Sequence, residues 1–513
     1  MITLESYLRG EWVRGQGALR PLVNPTTGET VAETGTEGID FAPAVELART
    51  EGGPALRAMT FAERGKMLKA LSKAIHGARE ELIEASILNG GTTRGDAKFD
   101  IDGASGTLAF YASLGKKLGD ATHLAEGGEQ LTQSARFHGR HLWVPLRGVA
   151  VHVNAFNFPA WGLAEKAAVA LLAGVPVITK PATATALLAY RVTQKLVEAD
   201  VLPRGALQFV AGSPGNLLDQ LGSQDVLAFT GSSDTGRTLR GLDHVLSRST
   251  RVNVEADSLN AAVVTEDVSD DTYQRFLRDA VTEITQKAGQ KCTATRRIFV
   301  HASHIDRVQE DLAERLARIT VGDPADKEVR MGPLATAQQR DDYLAGVEKL
   351  QAAGAKIVWG DPKPGEVKGA DASKGFFVGP VLLRADAPAE ADAVHDHEVF
   401  GPCSTLMPFE DVDEAAALVA RGGGGLVASV YGDDRKLLRS LVLAIAPYSG
   451  RILMGTKKVA DQAISPGMVL PSCVHGGPGR AGGGEELGGE RGLHFYMQRC
   501  ALQGDRALLE KLF

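Results

Sequence analysis

Short apolar runs alternate with stretches of helical periodicity through the middle of the chain. The runs typical of buried strands are residues 149–153, 175–179, 207–210 and 226–230. Between them, residues 165–173 and 185–198 have the apolar spacing of helices. This alternation predicts an α/β fold around a parallel sheet, in which ligands bind beyond the carboxyl ends of the strands.

A second α/β stretch begins near Glu255. It contains helical patterns at residues 273–288 and 305–318 and a strand pattern at residues 356–359. Two glycine-rich segments follow. We expect an irregular loop over residues 475–492 and a flexible joint at residues 422–425.

The N-terminal region carries local signals of turns and of one helix. Residues 7–12 and 24–29 have turn chemistry, which predicts short strands around them. Thr60 and Glu63 have the spacing of a capping box and precede apolar residues at helical intervals. A helix is therefore expected to begin at Thr60.

Composition narrows the class of protein. The 513 residues, 44% hydrophobic and 23% charged, suit a globular protein of two or three domains. A formal net charge of -7 without a basic stripe argues against a nucleic-acid partner. The N-terminus lacks the features of a secretory signal, and the apolar residues 167–178 are too few to span a bilayer. We therefore expect a cytoplasmic protein without a membrane partner.

Two segments are candidates for cofactor binding and nucleophilic chemistry. Residues 230–236 join a strand to a helix, where glycines let a phosphate approach free backbone N–H groups; a tight turn is the alternative. Cys292 lies among glycine and polar residues, which is compatible with a reactive thiolate. An inert packing cysteine is the alternative there. The other cysteines are Cys403, Cys473 and Cys500, and we expect free thiols.

Two polar residues at strand ends are further candidates. Glu255 ends an apolar strand and is either an acid/base group or a surface charge. Asn157 follows a strand, and its amide either donates to an oxyanion or belongs to an ordinary turn. His395 and His397 are only two apart and no third ligand stands out, so we predict no metal site.

Together these segments resemble the aldehyde dehydrogenase superfamily. The matching motifs are Asn157-Phe158-Pro159, Lys180-Pro181-Ala182, Phe229-Thr230-Gly231-Ser232, Glu255, Gly289-Gln290-Lys291-Cys292 and Glu398-Val399-Phe400-Gly401-Pro402. They occur in the family's order, at near-family spacing, over nearly the whole chain. One such motif is a weak signal, but six in order are specific.

The resemblance implies an aldehyde dehydrogenase-like α/β fold with three parts. A Rossmann-like cofactor domain would comprise residues 1–127 and 148–254, and an α/β catalytic domain residues 255–484. A β-arm for oligomerisation would comprise residues 128–147 and 485–513. The family is dimeric or tetrameric, so a homodimer or homotetramer is implied.

The resemblance also implies the chemistry. Cys292 would attack the aldehyde carbon, Asn157 and the Cys292 backbone N–H would hold the oxyanion, and Glu255 would activate water. Glu398 would position the nicotinamide ribose. The implied cofactor contacts are Val153, Phe156, Asn157, Lys180, Ala182, Thr183, Gly212, Gly215, Thr230, Gly231, Ser232, Gly236, Glu255, Glu398 and Phe400.

Three departures from the family pattern refine these expectations. Thr183 stands where NAD-preferring members carry a glutamate that would repel a 2′-phosphate. NADP is therefore the expected cofactor, with NAD accepted less well. Phe156 replaces a frequent tryptophan, and Ala256-Asp257-Ser258 replaces a familiar glycine pair after Glu255.

The tail and the cysteine segment resemble a narrower branch of the family. Residues 474–488 and 287–294 are similar to dehydrogenases of phenylacetate and benzoate catabolism that act on semialdehydes. The benzoate branch implies a CoA-linked substrate, for which Lys291, Arg296, Arg297 and Arg480 are candidate contacts. The length leaves no room for the hydratase-like domain of the phenylacetate protein, so we expect the stand-alone form.

Two rival functions remain at this point. One is a general aldehyde or semialdehyde dehydrogenase whose substrate carries no CoA. The other is a non-catalytic structural protein on the same fold, against which the joint presence of Cys292, Glu255, Asn157 and Glu398 argues. A CoA-acylating dehydrogenase is disfavoured because Glu255 supplies a base for water.

Overall fold

The computed structural model describes residues 2–513 and contains two seven-stranded sheets flanked by helices. Across the first sheet the strands are Arg251–Glu255, Val226–Thr230, Ala150–Val153, Val177–Lys180, Leu207–Phe209, Ser6–Leu8 and Glu11–Val13. The first five are parallel and the last two antiparallel. The predicted α/β fold around a parallel sheet is confirmed.

The register of the first sheet aligns the carboxyl ends of its strands. Val153 pairs with both Lys180 and Phe229, and Thr230 pairs with Glu255. The residues that end these strands therefore lie along one edge of the sheet. Residues of the sequence motifs thus meet at that edge, as expected for a ligand site in a parallel sheet.

The second sheet forms the core of the other half of the chain. Its strands, in order, are Lys356–Gly360, Val381–Arg384, Cys403–Phe409, Arg297–His301, Ala261–Val264, Gly425–Tyr431 and Ser449–Gly455. All neighbours are parallel except the first pair. Gly425–Tyr431 is buried at every position, because helices cover both faces of such a sheet.

Nine helices of ten residues or more in residues 2–513 surround the two sheets. They are Phe61–Gly77, Arg79–Gly90, Arg94–Leu118, Trp161–Ala173, Ala186–Glu198, Asp270–Thr285, Ile305–Leu316, Ala337–Ala352 and Arg435–Ile445. The capping box of Thr60 and Glu63 is present at the first of these. None of the helices in the described residues has the length and hydropathy needed to cross a membrane.

Two smaller sheets complete the fold. Phe137–Pro145 pairs antiparallel with Met497–Asp505 over nine positions, and both strands lie within the segments assigned to the arm. The second small sheet joins Ile2–Leu4, Thr30–Thr34 and Arg20–Val23. Glu485–Leu487, also assigned to the arm, pairs instead with Val474–Gly476.

The glycine-rich segments are more ordered than their composition predicts. The tail was expected to be irregular, but it contains the strands Val474–Gly476 and Glu485–Leu487. The flexible joint is also wrong: a Cβ on Gly424 would lie 2.0 Å from the Pro478 carbonyl oxygen. A Cβ on Gly422 would lie 2.1 Å from the Arg297 guanidinium. Gly424 permits close packing against backbone, and Gly422 permits close packing against the Arg297 side chain.

Asn260 joins the cysteine loop to the second sheet. Its Nδ2 donates to the Cys292 and Ala294 carbonyls at 2.7 and 2.9 Å. Its Oδ1 accepts from the Leu426 and Val427 N–H groups at 3.1 and 3.0 Å. One buried amide thereby satisfies four backbone groups, which fixes the loop relative to the sheet.

Replacing Asn260 by alanine should destabilise the fold. Buried backbone groups would lose their partners, and we expect the free energy of unfolding to fall by about 3 kcal/mol. Urea unfolding measures this as a lower midpoint. Gln338→Ala, on an exposed helical face, is the control and should leave the midpoint unchanged. An unchanged midpoint for Asn260→Ala would contradict the assigned role.

Candidate active site

One cavity of about 620 Å³ opens beyond the carboxyl edge of the first sheet. Four predicted catalytic residues line it: Asn157, Glu255, Cys292 and Glu398. The predicted cofactor contacts that also line it are Phe156, Lys180, Ala182, Thr230, Gly231, Ser232 and Phe400. The structure thus brings together motifs that are separated by more than 200 residues in the sequence.

The loop before Cys292 has an unusual backbone. Lys287, Ala288 and Gly289 have φ values of 55°, 51° and 69°, which side chains rarely adopt. The predicted helix over residues 273–288 therefore ends early, at Thr285. A Cβ on Gly289 would lie 2.2 Å from the Gly401 carbonyl oxygen, so only glycine fits. Such strain is typical of functional sites.

Cys292 is half-buried, and its thiol lies in an acidic setting. The thiol sulfur, a Glu255 carboxylate oxygen and a His475 ring nitrogen are all within 4.8 Å of one another. Burial raises the pKa of the Cys292 thiol, and the charge of Glu255 raises that pKa further. The resting group at neutral pH is therefore the thiol, and the carboxylate beside it can accept its proton.

Glu255 is only 1% exposed, which makes its charge costly without a partner. Its Oε2 lies 3.1 Å from Nε2 of His475. Burial alone would raise the pKa of Glu255, but His475 and then Lys166 lower it below its ordinary value. The carboxylate therefore stays ionised although its side chain is almost inaccessible to water.

A second group of buried charges lies behind Glu255. The Lys166 ammonium is 3.3 Å from Glu165 and 3.1 Å from Glu486, and a carboxylate oxygen of each lies within 4.8 Å of one on Glu255. Burial raises the pKa of Glu486 to about 7. Sequence reasoning missed these residues. The available signal was a Glu-Lys pair as the only charges in the fully buried helix Trp161–Ala173.

The Asn157 amide is oriented by a backbone carbonyl of the cysteine loop. Its Nδ2 donates one hydrogen bond to the Gln290 carbonyl at 3.0 Å. A primary amide has two donor hydrogens, so the second is available to an oxygen in the cavity. The side chain is 8% exposed, and such a donor would act at low dielectric.

Glu398 is held by two groups at the far side of the cavity. It accepts a hydrogen bond from the Ser258 N–H at 3.0 Å, and Arg296 lies 3.4 Å away. Burial raises the pKa of Glu398 to about 7, although Arg296 opposes the rise. Phe400 contacts Phe156 edge-on, with ring centroids 5.8 Å apart, and forms an apolar wall.

The helix Ser233–Arg240 begins at the cavity. Ser232 caps it by accepting from the Thr235 N–H at 3.3 Å. Asp257 accepts from the Ser233 N–H at 3.1 Å and from its hydroxyl at 2.6 Å. The unusual residue after Glu255 therefore fastens this helix to the catalytic strand. Sequence analysis noted Asp257 only as a departure from the family pattern.

Five predicted cofactor contacts lie outside the lining of this cavity. Thr183 begins a short turn after Lys180, and Val153 ends its strand. Gly212 packs beside Thr36, Gly215 beside Phe41, and Gly236 against Val254.

Three of the four expected CoA contacts are wrong. Lys291 is fully buried against Glu283 at 2.9 Å, and Arg296 bonds the Gly401 and Lys291 carbonyls. Arg297 is buried on the Leu259, Leu418 and Val419 carbonyls. A buried carboxylate pairs with Lys291, and backbone carbonyls accept the hydrogen bonds of Arg296 and Arg297. Arg480 lines the cavity and donates to the Asp396 carbonyl.

The thiol, carboxylate and imidazole also have the ligand types of a zinc site. A ligating Nε2 on His475 would require the ring proton on Nδ1. The Arg451 guanidinium, however, directs an N–H group at Nδ1 over 3.4 Å. This contact favours an Nε2 proton that points at Glu255, and it opposes metal binding.

The acidic setting predicts slow alkylation of Cys292 near neutral pH. The rate at which iodoacetamide labels Cys292 should continue to increase with pH above pH 9, because burial and Glu255 both raise the thiol pKa. Glu255→Gln should move this rise to lower pH. Mass spectrometry of the labelled peptides measures both, with exposed Cys473 as internal reference. Faster labelling of Cys292 than of Cys473 at pH 7.5 would contradict the assignment.

Comparison with known proteins agrees with this geometry. The aldehyde dehydrogenase family model matches residues 12–501. A 3,4-dehydroadipyl-CoA semialdehyde dehydrogenase from Aromatoleum evansii is 44% identical over 478 residues, which cover 93% of each chain. An alpha-ketoglutaric semialdehyde dehydrogenase from Bacillus subtilis is 28% identical and covers 91% of this chain and 93% of its own.

Solved structures give the same result. The crystal structure of PnpE in complex with nicotinamide adenine dinucleotide aligns with a TM-score of 0.84 at 26% identity. The alignment covers 98% of this chain and 97% of that one. Sequence motifs, strand order and active-site geometry all lead to one assignment. The chain belongs to the aldehyde dehydrogenase family, as the resemblance predicted.

Proposed function

We propose that the protein oxidises an aldehyde to a carboxylic acid through a thioester on Cys292, with NADP preferred over NAD. The observation that carries this proposal is the approach of the Cys292 sulfur, the Glu255 carboxylate and the His475 ring within 4.8 Å. The Asn157 amide lines the same cavity. A nucleophile, a base and an oxyanion donor are thus in place for acyl chemistry.

The first step forms a bond between sulfur and carbon. Glu255 takes the Cys292 proton as the sulfur attacks the aldehyde carbon, and the carbonyl oxygen becomes an oxyanion. The second amide hydrogen of Asn157 stabilises that charge, since the first is held by Gln290. Loss of one such donor typically raises the barrier by about 3 kcal/mol.

The second half of the reaction hydrolyses the thioester. A nicotinamide bound in the cavity would supply the acceptor for the hydride that the adduct loses. Glu255 passes the thiol proton to solvent and then takes a proton from water as the water oxygen attacks the acyl carbon. The Cys292 sulfur leaves as the thiolate and regains that proton from Glu255. Glu398 is the predicted ribose contact and lines the same cavity, and burial raises its pKa to about 7.

The preference for NADP rests on the adenosine end of the cavity. Lys180 donates to the Pro181 carbonyl at 3.0 Å, and Thr183 follows in a short turn without a carboxylate. Burial lowers the pKa of Lys180, and the charge of Arg20 lowers it further. A 2′-phosphate bound between Lys180 and Arg20 would relieve the repulsion between these two cations.

A glutamate at position 183 should reverse the cofactor preference. In Thr183→Glu the new carboxylate would repel the 2′-phosphate and accept hydrogen bonds from free ribose hydroxyls. The ratio of kcat/KM for NADP to that for NAD should fall by roughly tenfold or more. Thr183→Gln, similar in size but neutral, is the control and should shift the ratio much less. An unchanged ratio in the glutamate variant would remove the basis for the preference.

The substrate is a CoA-linked semialdehyde, specifically 3,4-dehydroadipyl-CoA semialdehyde of benzoate catabolism, oxidised to 3,4-dehydroadipyl-CoA. The relative that is 44% identical bears that substrate in its name. A surface groove of about 600 Å³ supports a long substrate. Phe99, Trp161 and Val469 line both this groove and the inner pocket that contains Cys292. An extended chain could therefore pass from the surface to the thiol.

A bulky residue in the groove should discriminate against long substrates. A Cβ on Gly106 meets no atom within 4 Å, so Gly106→Leu would project into the groove without disturbing the fold. We expect kcat/KM for the CoA semialdehyde to fall roughly tenfold, while short aliphatic aldehydes are oxidised as before. Gly77→Leu, at another open helical glycine, is the matched control.

A substrate panel with each cofactor, read as reduced nicotinamide, tests the whole proposal. Cys292→Ala is the blank and should be inactive. Better turnover of short aldehydes than of the CoA semialdehyde would favour the general dehydrogenase. Turnover of no aldehyde would favour the structural protein.

The assembly proposed for this enzyme is a homodimer or homotetramer in the cytoplasm. The strands Phe137–Pro145 and Met497–Asp505 form the arm that would contact the partner subunit. Its outer strands, Leu124–Ala125 and Glu129–Gln130, are only two residues long. Met497–Asp505 is paired on one side only, so its other edge is available to a strand of the partner subunit.

A further inference from the structure

His475 lies in the middle of a buried polar row that leads from Arg451 to Glu255. Its Nε2 is 3.1 Å from Glu255, and its Nδ1 is 3.4 Å from the Arg451 guanidinium. Arg451 is itself fixed by donating to the Pro466 carbonyl at 2.9 Å. The imidazole is 3% exposed, so bulk water does not compete for these contacts.

The contact with Arg451 fixes where the imidazole carries its proton. A guanidinium has only donors, so Nδ1 must accept and the neutral ring carries its proton on Nε2. A doubly protonated ring also has a proton there. In both charge states Nε2 therefore carries a proton, and Nε2 lies 3.1 Å from Oε2 of Glu255.

Several charged groups face this pair from the surrounding elements. Lys166 and Glu165 come from the helix Trp161–Ala173, and Glu486 from the strand beside His475. Cys292 faces Glu255 from the cysteine loop. Among these groups, His475 and Cys292 are the two that contact the carboxylate directly, and His475 is the one that can carry a positive charge.

We propose that His475 is a positioning residue for Glu255. Its Nε2–H holds the carboxylate ionised and turned toward the thiol, ready to accept the proton of the hydrolytic water. This inference rests on the roles proposed for Cys292 and Glu255. It does not depend on which aldehyde or which nicotinamide cofactor the enzyme uses.

Thioester hydrolysis can be isolated with 4-nitrophenyl acetate, which needs no cofactor. The Cys292 sulfur attacks the ester carbonyl and expels 4-nitrophenolate in a burst. Water then attacks the acetyl thioester, its proton passes to Glu255, and acetate is released in the steady phase. The acid side of the steady-phase pH profile reports protonation of the base.

The decisive comparison is between His475→Leu and His475→Gln. The leucine variant loses the Nε2–H donor. The acid limb of its steady-phase pH profile should move to higher pH by about one unit or more, and the burst should be retained. The glutamine variant keeps an N–H donor near the Nε2 position and should restore much of the wild-type profile. His395→Leu, which removes a buried imidazole bonded to Arg297 and the Pro388 carbonyl, is the control. It should leave the acid limb in place.

Two outcomes would overturn the inference. One is a wild-type acid limb in His475→Leu. The other is equal impairment of the leucine and glutamine variants, which would indicate a packing role alone. Cys292→Ala and Glu255→Gln test the underlying roles separately: a burst in the first, or a normal steady phase in the second, would refute the proposed function itself.

Discussion

The active site depends on keeping an ionised carboxylate buried beside a thiol. Glu255 is almost inaccessible to water, and an isolated charge there would be strongly disfavoured. His475 and Lys166 lower its pKa, while Glu255 raises the pKa of Cys292. The charge of Glu255 thus has two effects: it provides the proposed base for water, and it keeps the Cys292 thiol protonated at rest.

The two sheets make this arrangement possible. Glu255 ends a strand of the first sheet, and the second sheet begins a few residues later at Ala261–Val264. Between them, Asn260 fixes the carbonyl of Cys292 with its own side chain. The base and the nucleophile therefore belong to different sheets but are held by one short connection, so neither sheet alone contains the site.

Apolar periodicity predicted the α/β pattern, whereas the convergence of Asn157, Glu255, Cys292 and Glu398 followed from the resemblance of six motifs to the aldehyde dehydrogenase family. The sequence did not predict His475, whose role depends on a strand pair within a glycine-rich tail. The roles of Arg296 and Arg297 also could not be predicted, since a cation looks the same in sequence whether it is exposed or bonded to buried carbonyls. Gly424 was misinterpreted for a similar reason: composition does not reveal what packs against a glycine.

The close approach of Gly289 to the Gly401 carbonyl has a mechanical consequence. Arg296 reinforces it by bonding Gly401 and Lys291 together while lying beside Glu398. The segment that contains Cys292 and the segment that contains Glu398 are thereby held together. Arg296 thus links the backbone beside Cys292 to the carboxylate predicted to touch the ribose, so the two segments keep a fixed spacing.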